Sequence, residues 1–334
     1  MSKARELAEL GAVYDSGALS NRNMIINGNM EIAQRGTSQT SAGYGTLDRF
    51  NMSLSGATAT MTQESFTIGQ TDVPGSDKYL KLAVSTGNNN SGVYYKIEAK
   101  DAIAVIGKKV TASYYAKGTS PAAGLQVAME WYDGSSSSPS SSTTVTLTSS
   151  WVKYTHTFDV PSISGLTLTN ANAYLEIKWA QANADTGTGA YEVNLAQVQL
   201  EVGTEATPFE HRLLGDELAR CQRYFYNCAA ASGAEEHIIT GAMYDANYIY
   251  GKIEFPVTMR TMPTIVQTSG SQYFQVYCAG ASNAIDSITM LGAGNSNENF
   301  AMIRNTQAVS FTAGQAANLQ KKSASAAVAF DAEI

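Results

Sequence analysis

Past residue 20 the chain alternates apolar and polar residues in short runs, and each run is cut by a cluster of Gly, Ser, Asn or Asp. "LDRFNMSL", "KYLKLAVS", "GVYYKIEA", "KVTASYYAK", "LQVAMEWYD", "WVKYTHTFDV", "AYLEIKWA" and "YEVNLAQVQLEV" follow one another, separated by "GSDK", "GNNNSG", "DGSSSSPSSS" and "ADTGTG". A side-chain period of two puts successive residues on opposite faces of a strand, and the intervening residues are those that tolerate turn geometry. Many such strands at this spacing predict an antiparallel β-sandwich or jelly roll.

A second series, "HIITGAMY", "NYIYGKIEFPV", "YFQVYCAG", "SITMLGAG", "ENFAMIRNTQ" and "AAVAFDAEI", predicts a smaller β unit of about six strands, ending in a strand that alternates Val328, Phe330, Ala332 and Ile334. Between the two, "DELARCQRYFYNC" predicts a linking helix. Asp216 is its expected N-cap, and Leu218, Cys221, Phe225 and Cys228 fall on one stripe. The expected fold is therefore mostly β. Residues 1–20 form a short helical arm, 21–210 an antiparallel β-sandwich or jelly roll, and 211–334 the linking α-helix with a second small β-sandwich.

In the arm, "ARELAEL" allows about two helical turns with Leu7 and Leu10 on one side, too short to be stable alone in water. Two readings stand, a frayed terminus or an arm that orders on a partner. In "NMIINGNMEIAQRG", Asn27-Gly28 lies between apolar runs and predicts a type I′ hairpin.

Alternation also assigns faces. In "LQVAMEWYD", Leu125, Val127, Met129 and Trp131 form the expected core set, leaving Gln126, Glu130 and Tyr132 outside. In "AYLEIKWA", Leu175, Ile177 and Trp179 point in, while Tyr174, Glu176 and Lys178 point out. Tyr94 and Tyr115 join the outer set because Tyr95 and Tyr114 fit the inward ones. Tyr rings beside Gln, Glu and Lys supply both the stacking surface and the donors and acceptors that a sugar requires. Tyr94, Tyr115, Gln126, Glu130, Tyr132, Glu176 and Lys178 are thus candidate glycan contacts. An ordinary exposed sheet face or a subunit contact is the other reading.

Other chemistries find little support. The net charge is −7 and no basic cluster interleaves with aromatics, which argues against nucleic-acid binding. The opening "MSKARELAEL" lacks the apolar core of a signal peptide, and no stretch reaches the roughly 18 apolar residues of a membrane helix. Synthesis in the cytoplasm and no membrane insertion are expected. The three cysteines, Cys221, Cys228 and Cys278, do not suggest a disulfide framework. His156, His211 and His237 show no metal-ligand spacing, and neither a GxSxG elbow nor a phosphate-cradling glycine loop occurs. "DANYIYGKIE" departs from a calcium loop by placing Tyr250 where Gly is needed. No cofactor and no metal are expected. Glu130 and Glu176 form a possible carboxylate pair, but a solvated face accounts for them equally, so no enzymatic activity is expected.

"NRNMIINGNMEIAQRGTS", "AQVQLEVGTEATPFEHR", "DELARCQRYF" and "FPVTMRTMPTIV" occur in that order, and together they resemble bacteriophage virion proteins of the tail-fibre type, similar to fibres of phages of aquatic bacteria, including cyanophages. Each motif is weak alone; the ordered set spans residues 21 to 334. The resemblance implies a carbohydrate-binding-module-like jelly roll opened by the first motif and closed by the second. It makes Val202 to Gly215 a joint between two modules. It further implies a virion location, a homotrimer, attachment to other virion proteins through the arm, and contact with a host-surface glycan. A purely structural head, collar or adaptor piece is the alternative, with a glycan depolymerase behind it.

Overall fold

The computed structural model describes residues 21–87, 90–182, 189–231, 233 and 235–334. The arm with Leu7 and Leu10 lies outside the described residues. The protein is mostly β, built from antiparallel sheets. Among the described residues, α-helix is confined to Ala99–Ala102 and Leu214–Gln222. Two compact units divide between Glu217 and Leu218, Ile334 alone being grouped with the first.

The first unit is a two-sheet sandwich. Its six-stranded sheet contains β1 (Ser38–Gln39), β3 (Thr58–Ser65), β4 (Lys78–Thr86), β6 (Lys109–Thr119), β9 (Val152–Asp159) and β11 (Tyr191–Val202), in the order β1-β3-β4-β11-β6-β9. The five-stranded sheet contains β2 (Phe50–Ser53), β5 (Gly92–Glu98), β7 (Leu125–Tyr132), β8 (Ser141–Val145) and β10 (Tyr174–Gln181), in the order β2-β5-β10-β7-β8. Inward residues of both sheets make one core in which Trp131, Trp179, Tyr114 and Leu195 have no exposed surface. Tyr114 meets Trp179 edge to face at 5.5 Å. The Trp131 indole donates to the Pro161 carbonyl at 3.1 Å, which satisfies its one polar atom.

Asn27-Gly28 does not form the expected hairpin. Only Asn27 has a positive φ, 61°, whereas a type I′ turn needs it at both central residues. No described strand precedes the turn, and the first one begins at Ser38. The turn is instead buried against β11. Asn27 Nδ2 donates to the Ile32 and Asp48 carbonyls at 2.8 and 3.0 Å, and its Oδ1 accepts from the Ile32 amide at 2.9 Å. The Val198 amide donates to the Gly28 carbonyl at 2.8 Å. A Cβ on Gly28 would stand 2.2 Å from the Val198 carbonyl oxygen, so close backbone approach, and not turn type, demands glycine there. The contact falls where β11 bulges, between Ala196 and Gln199, with Gln197 at φ 48°.

The second motif completes this clasp. Glu201 accepts from the Thr207 amide at 2.8 Å and its hydroxyl at 2.7 Å, and Gln199 Oε1 accepts from the Glu210 amide at 2.8 Å. Glu210 accepts from the Asn23 amide at 2.9 Å. Arg212 donates to the Ile25 carbonyl at 3.0 Å and to Glu210 at 3.1 Å. The two motifs that stand far apart in sequence are thus one hydrogen-bonded network.

The helix runs only from Leu214 to Gln222. Asp216 lies within its first turn and is not its N-cap. Phe225–Ala229 is a strand, β12, so Cys221 and Cys228 do not share a helix face. The competing force is pairing: β12 aligns Phe225 to Ala229 against β21 (Ala327–Asp331). The second unit has more strands than the six expected. Its three-stranded sheet has the order β12-β21-β15, where β15 is Thr264–Thr268. Its seven-stranded sheet comprises β13 (His237–Met243), β14 (Ile249–Glu254), β16 (Phe274–Cys278), β17 (Ala281–Ile285), β18 (Ile288–Met290), β19 (Phe300–Asn305) and β20 (Ala316–Lys321), in the order β17-β16-β20-β13-β14-β19-β18. Phe274, Val276, Ile303, Leu319, Val328 and Phe330 fill the core between them. Ala329 is buried as well, so β21 is covered on both faces and not only on the alternating one.

Candidate functional site

The centre of the five-stranded sheet is β10, paired antiparallel with β5 on one side and β7 on the other. Leu175, Ile177 and Trp179 enter the core, which turns Tyr174, Glu176, Lys178 and Ala180 outward. Register then builds three rows across the outer face. Glu98, Tyr174 and Tyr132 form one; Lys96, Glu176 and Glu130 the next; Tyr94, Lys178 and Ala128 the third. Gln126 stands opposite Ala180 one row further along.

Six of the seven residues named from the sequence therefore share this face: Tyr94, Gln126, Glu130, Tyr132, Glu176 and Lys178. Tyr115 does not. It lies on β6 of the other sheet, opposite Ala196 and Lys153, on the far side of the sandwich. Alternation gives a residue's side of its own strand but not which sheet the strand joins. Three polar residues of the face are not among the candidate contacts: Lys96, Glu98 and Tyr174. All keep the same alternation, Lys96 and Glu98 with Tyr94, and Tyr174 with Glu176.

The face is tightly cross-linked. Lys178 Nζ donates to Glu130 Oε1 at 2.9 Å and stands 5.4 Å from the centre of the Tyr94 ring. Lys96 Nζ lies 4.4 Å above the Tyr174 ring, which packs beside Tyr132 at 5.1 Å with a tilt of 37°. The Tyr94 hydroxyl donates to the Asn90 carbonyl at 2.7 Å. Lys178 and Glu176 are 9% and 5% exposed, so charge at the centre is withdrawn from water. Tyr94, Gln126, Glu130, Tyr132 and Tyr174 are half-buried.

Two carboxyls directly opposite one another would repel if both were ionised. Burial pushes Glu176 up to about 7; Lys178 pulls back, Glu130 pushes further, and Lys96 pulls back. Burial likewise raises the phenols of Tyr94 and Tyr174, with Glu176 adding to both. Near neutral pH the face therefore holds phenol donors, a carboxyl at its titration point, an ammonium fixed by its carboxylate partner, and an amide. That set can donate to and accept from hydroxyl groups while three rings offer flat apolar surface. Among the described residues no group of three or more His, Cys, Asp or Glu could hold a metal ion. No helix of the described residues is long and apolar enough to cross a membrane.

Neither a family model nor a curated protein matches this chain. Solved structures that resemble it include the enzymatically active domain of tailspike protein 4 of bacteriophage CBA120, at 13% identity and TM-score 0.35 over 55% of this chain and 22% of that one. The family 11 carbohydrate-binding module of a Clostridium thermocellum cellulase is similar at 13% identity and TM-score 0.33, over 51% of this chain and 98% of the module. A family 22 module of Clostridium thermocellum Xyn10B is similar at 12% identity and TM-score 0.31, over 56% of this chain and 99% of the module. These likenesses reach about half of the chain, and the fold class rests on its own strand pairing.

Proposed function

We propose that the chain is a bacteriophage virion protein of the tail-fibre type whose outer five-stranded face contacts a host-surface glycan. The glycan half rests on one observation: the rings of Tyr94, Tyr132 and Tyr174 share a face with the Lys178–Glu130 pair, Glu176 and Gln126. Sugars present C–H patches and hydroxyls together, and this face matches both. Glu130 is committed to Lys178, so the reading is binding without hydrolysis. The virion half rests on the four ordered sequence elements. It carries with it a homotrimer, whose copies would cover exposed sheet edges, and attachment to other virion proteins through residues 1–20.

Titrating host-surface polysaccharide fragments onto the full chain tests the reading. Saturable, millimolar-range binding without release of shorter fragments is expected, and Tyr132→Ala should weaken it about ten-fold, or roughly 1–2 kcal/mol. Absence of any binding would leave a purely structural virion piece. Release of fragments that stops in Glu176→Gln would favour a depolymerase, the chemistry in which one carboxyl of a pair holds its proton. Mass measurement of the native assembly tests the trimer; a monomer at micromolar concentration would sink it.

A further inference from the structure

The second unit carries its own aromatic and cationic cluster, on the outer face of the seven-stranded sheet. In β14, Ile249 and Ile253 enter the core, which turns Tyr250, Lys252 and Glu254 outward. Tyr250 stands opposite Arg304 of β19 and Ala242 of β13. The connection from β13 to β14, residues 244–248, is held by hydrogen bonds. Asp245 Oδ1 accepts from the Asn247 and Tyr248 amides at 2.7 and 2.9 Å, and the Tyr244 amide donates to the Tyr248 carbonyl at 2.8 Å. The fully buried Asn305 donates to the Asn247 carbonyl at 2.8 Å and accepts from the Ile249 amide at 2.9 Å.

This frame presents two features that packing does not explain. The Tyr244 ring lies on Tyr250, nearly parallel, at 4.6 Å and 15°, yet Tyr244 is 70% exposed. One face of an aromatic plate is supported and the other meets water. Opposite Tyr250 on β19, the Arg304 guanidinium sits 4.6 Å from the Tyr248 ring, and its Nε is buried without a hydrogen-bond partner. No described carboxylate forms an ion pair with it. Lys252, in contrast, is paired with Glu254 at 2.8 Å.

We propose that this cluster is a glycan site distinct from the first-unit face, and that it takes a sugar bearing a carboxylate, such as a hexuronic acid. The pyranose ring stacks on the free face of Tyr244, and the carboxylate accepts from the terminal N–H groups of Arg304, the buried Nε taking no part, in the bidentate geometry that a guanidinium offers a carboxylate. A neutral sugar would leave the guanidinium unanswered. A nucleic-acid strand offers anions and rings too, but needs several cations to follow its backbone. Here the net charge is −7, with Asp245 and Glu254 close in sequence on the same elements.

The test is ligand-observed NMR on the full chain with the methyl glycosides of glucuronic and galacturonic acid, and with those of glucose and galactose. At least one uronate should bind saturably in the millimolar range, with its neutral counterpart about ten-fold weaker or more. Tyr244→Ala and Arg304→Gln should each reduce uronate binding about ten-fold, and Arg304→Lys by less, because charge survives while the fork is lost. Tyr132→Ala, in the first unit, should leave uronate binding unchanged. Far-ultraviolet circular dichroism during heating checks that the variants remain folded. Equal binding of neutral sugars, no saturation by either uronate, loss through Tyr132→Ala alone, or displacement of uronate by an oligothymidylate would each overturn the proposal.

Discussion

Glu176 makes a sharp claim about pH. Its carboxyl is raised from 4.5 to about 7, chiefly by burial. An acid whose folded-state pKa lies above its unfolded value keeps its proton longer in the folded chain. Between those values the unfolded state binds fewer protons, so stability falls as pH rises. The difference of about 2.5 units, at 1.36 kcal/mol each, corresponds to roughly 3 kcal/mol of stability present below pH 4.5 and gone above pH 7. The group is only 5% exposed, so solvent screening removes little of this. Glu176→Gln keeps the shape and cannot ionise. It should be close to neutral at pH 5 and stabilising by about 2–3 kcal/mol at pH 8, which for a unit of this size is roughly 4–12 °C in melting temperature.

Tryptophan fluorescence isolates the relevant unit, because all three tryptophans, Trp131, Trp151 and Trp179, lie within it. The quantity to follow is the difference between parent and variant. His156, whose imidazole is held below its usual value by burial, acts in the other direction as pH falls, and this cancels in the subtraction. A difference that does not change with pH would refute the argument. One that favours the parent at high pH would mean that Lys178 and Lys96 hold Glu176 as an anion.

Trp131→Ala should cost about 3–5 kcal/mol through the cavity it opens, while Tyr132→Ala should stay within about 1 kcal/mol. Denaturant titration of both decides, and equal losses would mean that the faces are misassigned. Gly28→Ala should cost at least about 2 kcal/mol, because its methyl group would meet the Val198 carbonyl and break the clasp on β11. A loss under about 0.5 kcal/mol would show that the turn shifts freely.

Local pattern and global pairing contribute differently to what could be read in advance. The strands of the first unit announce themselves because their inward residues, such as Leu125, Val127, Met129 and Trp131, are uniformly apolar. β20 does not, although it sits within the seven-stranded sheet: its inward residues are Ala317, Leu319 and the buried Lys321, which reaches Glu236 at 3.1 Å. Phe225 and Cys228 satisfy a helical stripe as well as a strand, and only the distant β21 decides between them. Tyr115 shares the alternation of Tyr94, but the sheet it joins is fixed by pairing with β9 and β11. Asn27-Gly28 has the composition of a surface turn, yet a bulge about 170 residues later in the chain determines its shape.

In each unit the strand made last lies in the middle of a sheet: β11 between β4 and β6, and β21 between β12 and β15. Neither sheet can close while its unit is still being translated, and until then the flanking strands are two separate ribbons with open edges. Folding is thereby tied to completion of each unit, with contacts of long sequence separation formed last and correspondingly slowly. A chain broken off before Ala327 would keep most of its residues and lose the strip that joins β12 to β15. Premature termination there should yield aggregating or degraded protein and not a shortened working copy.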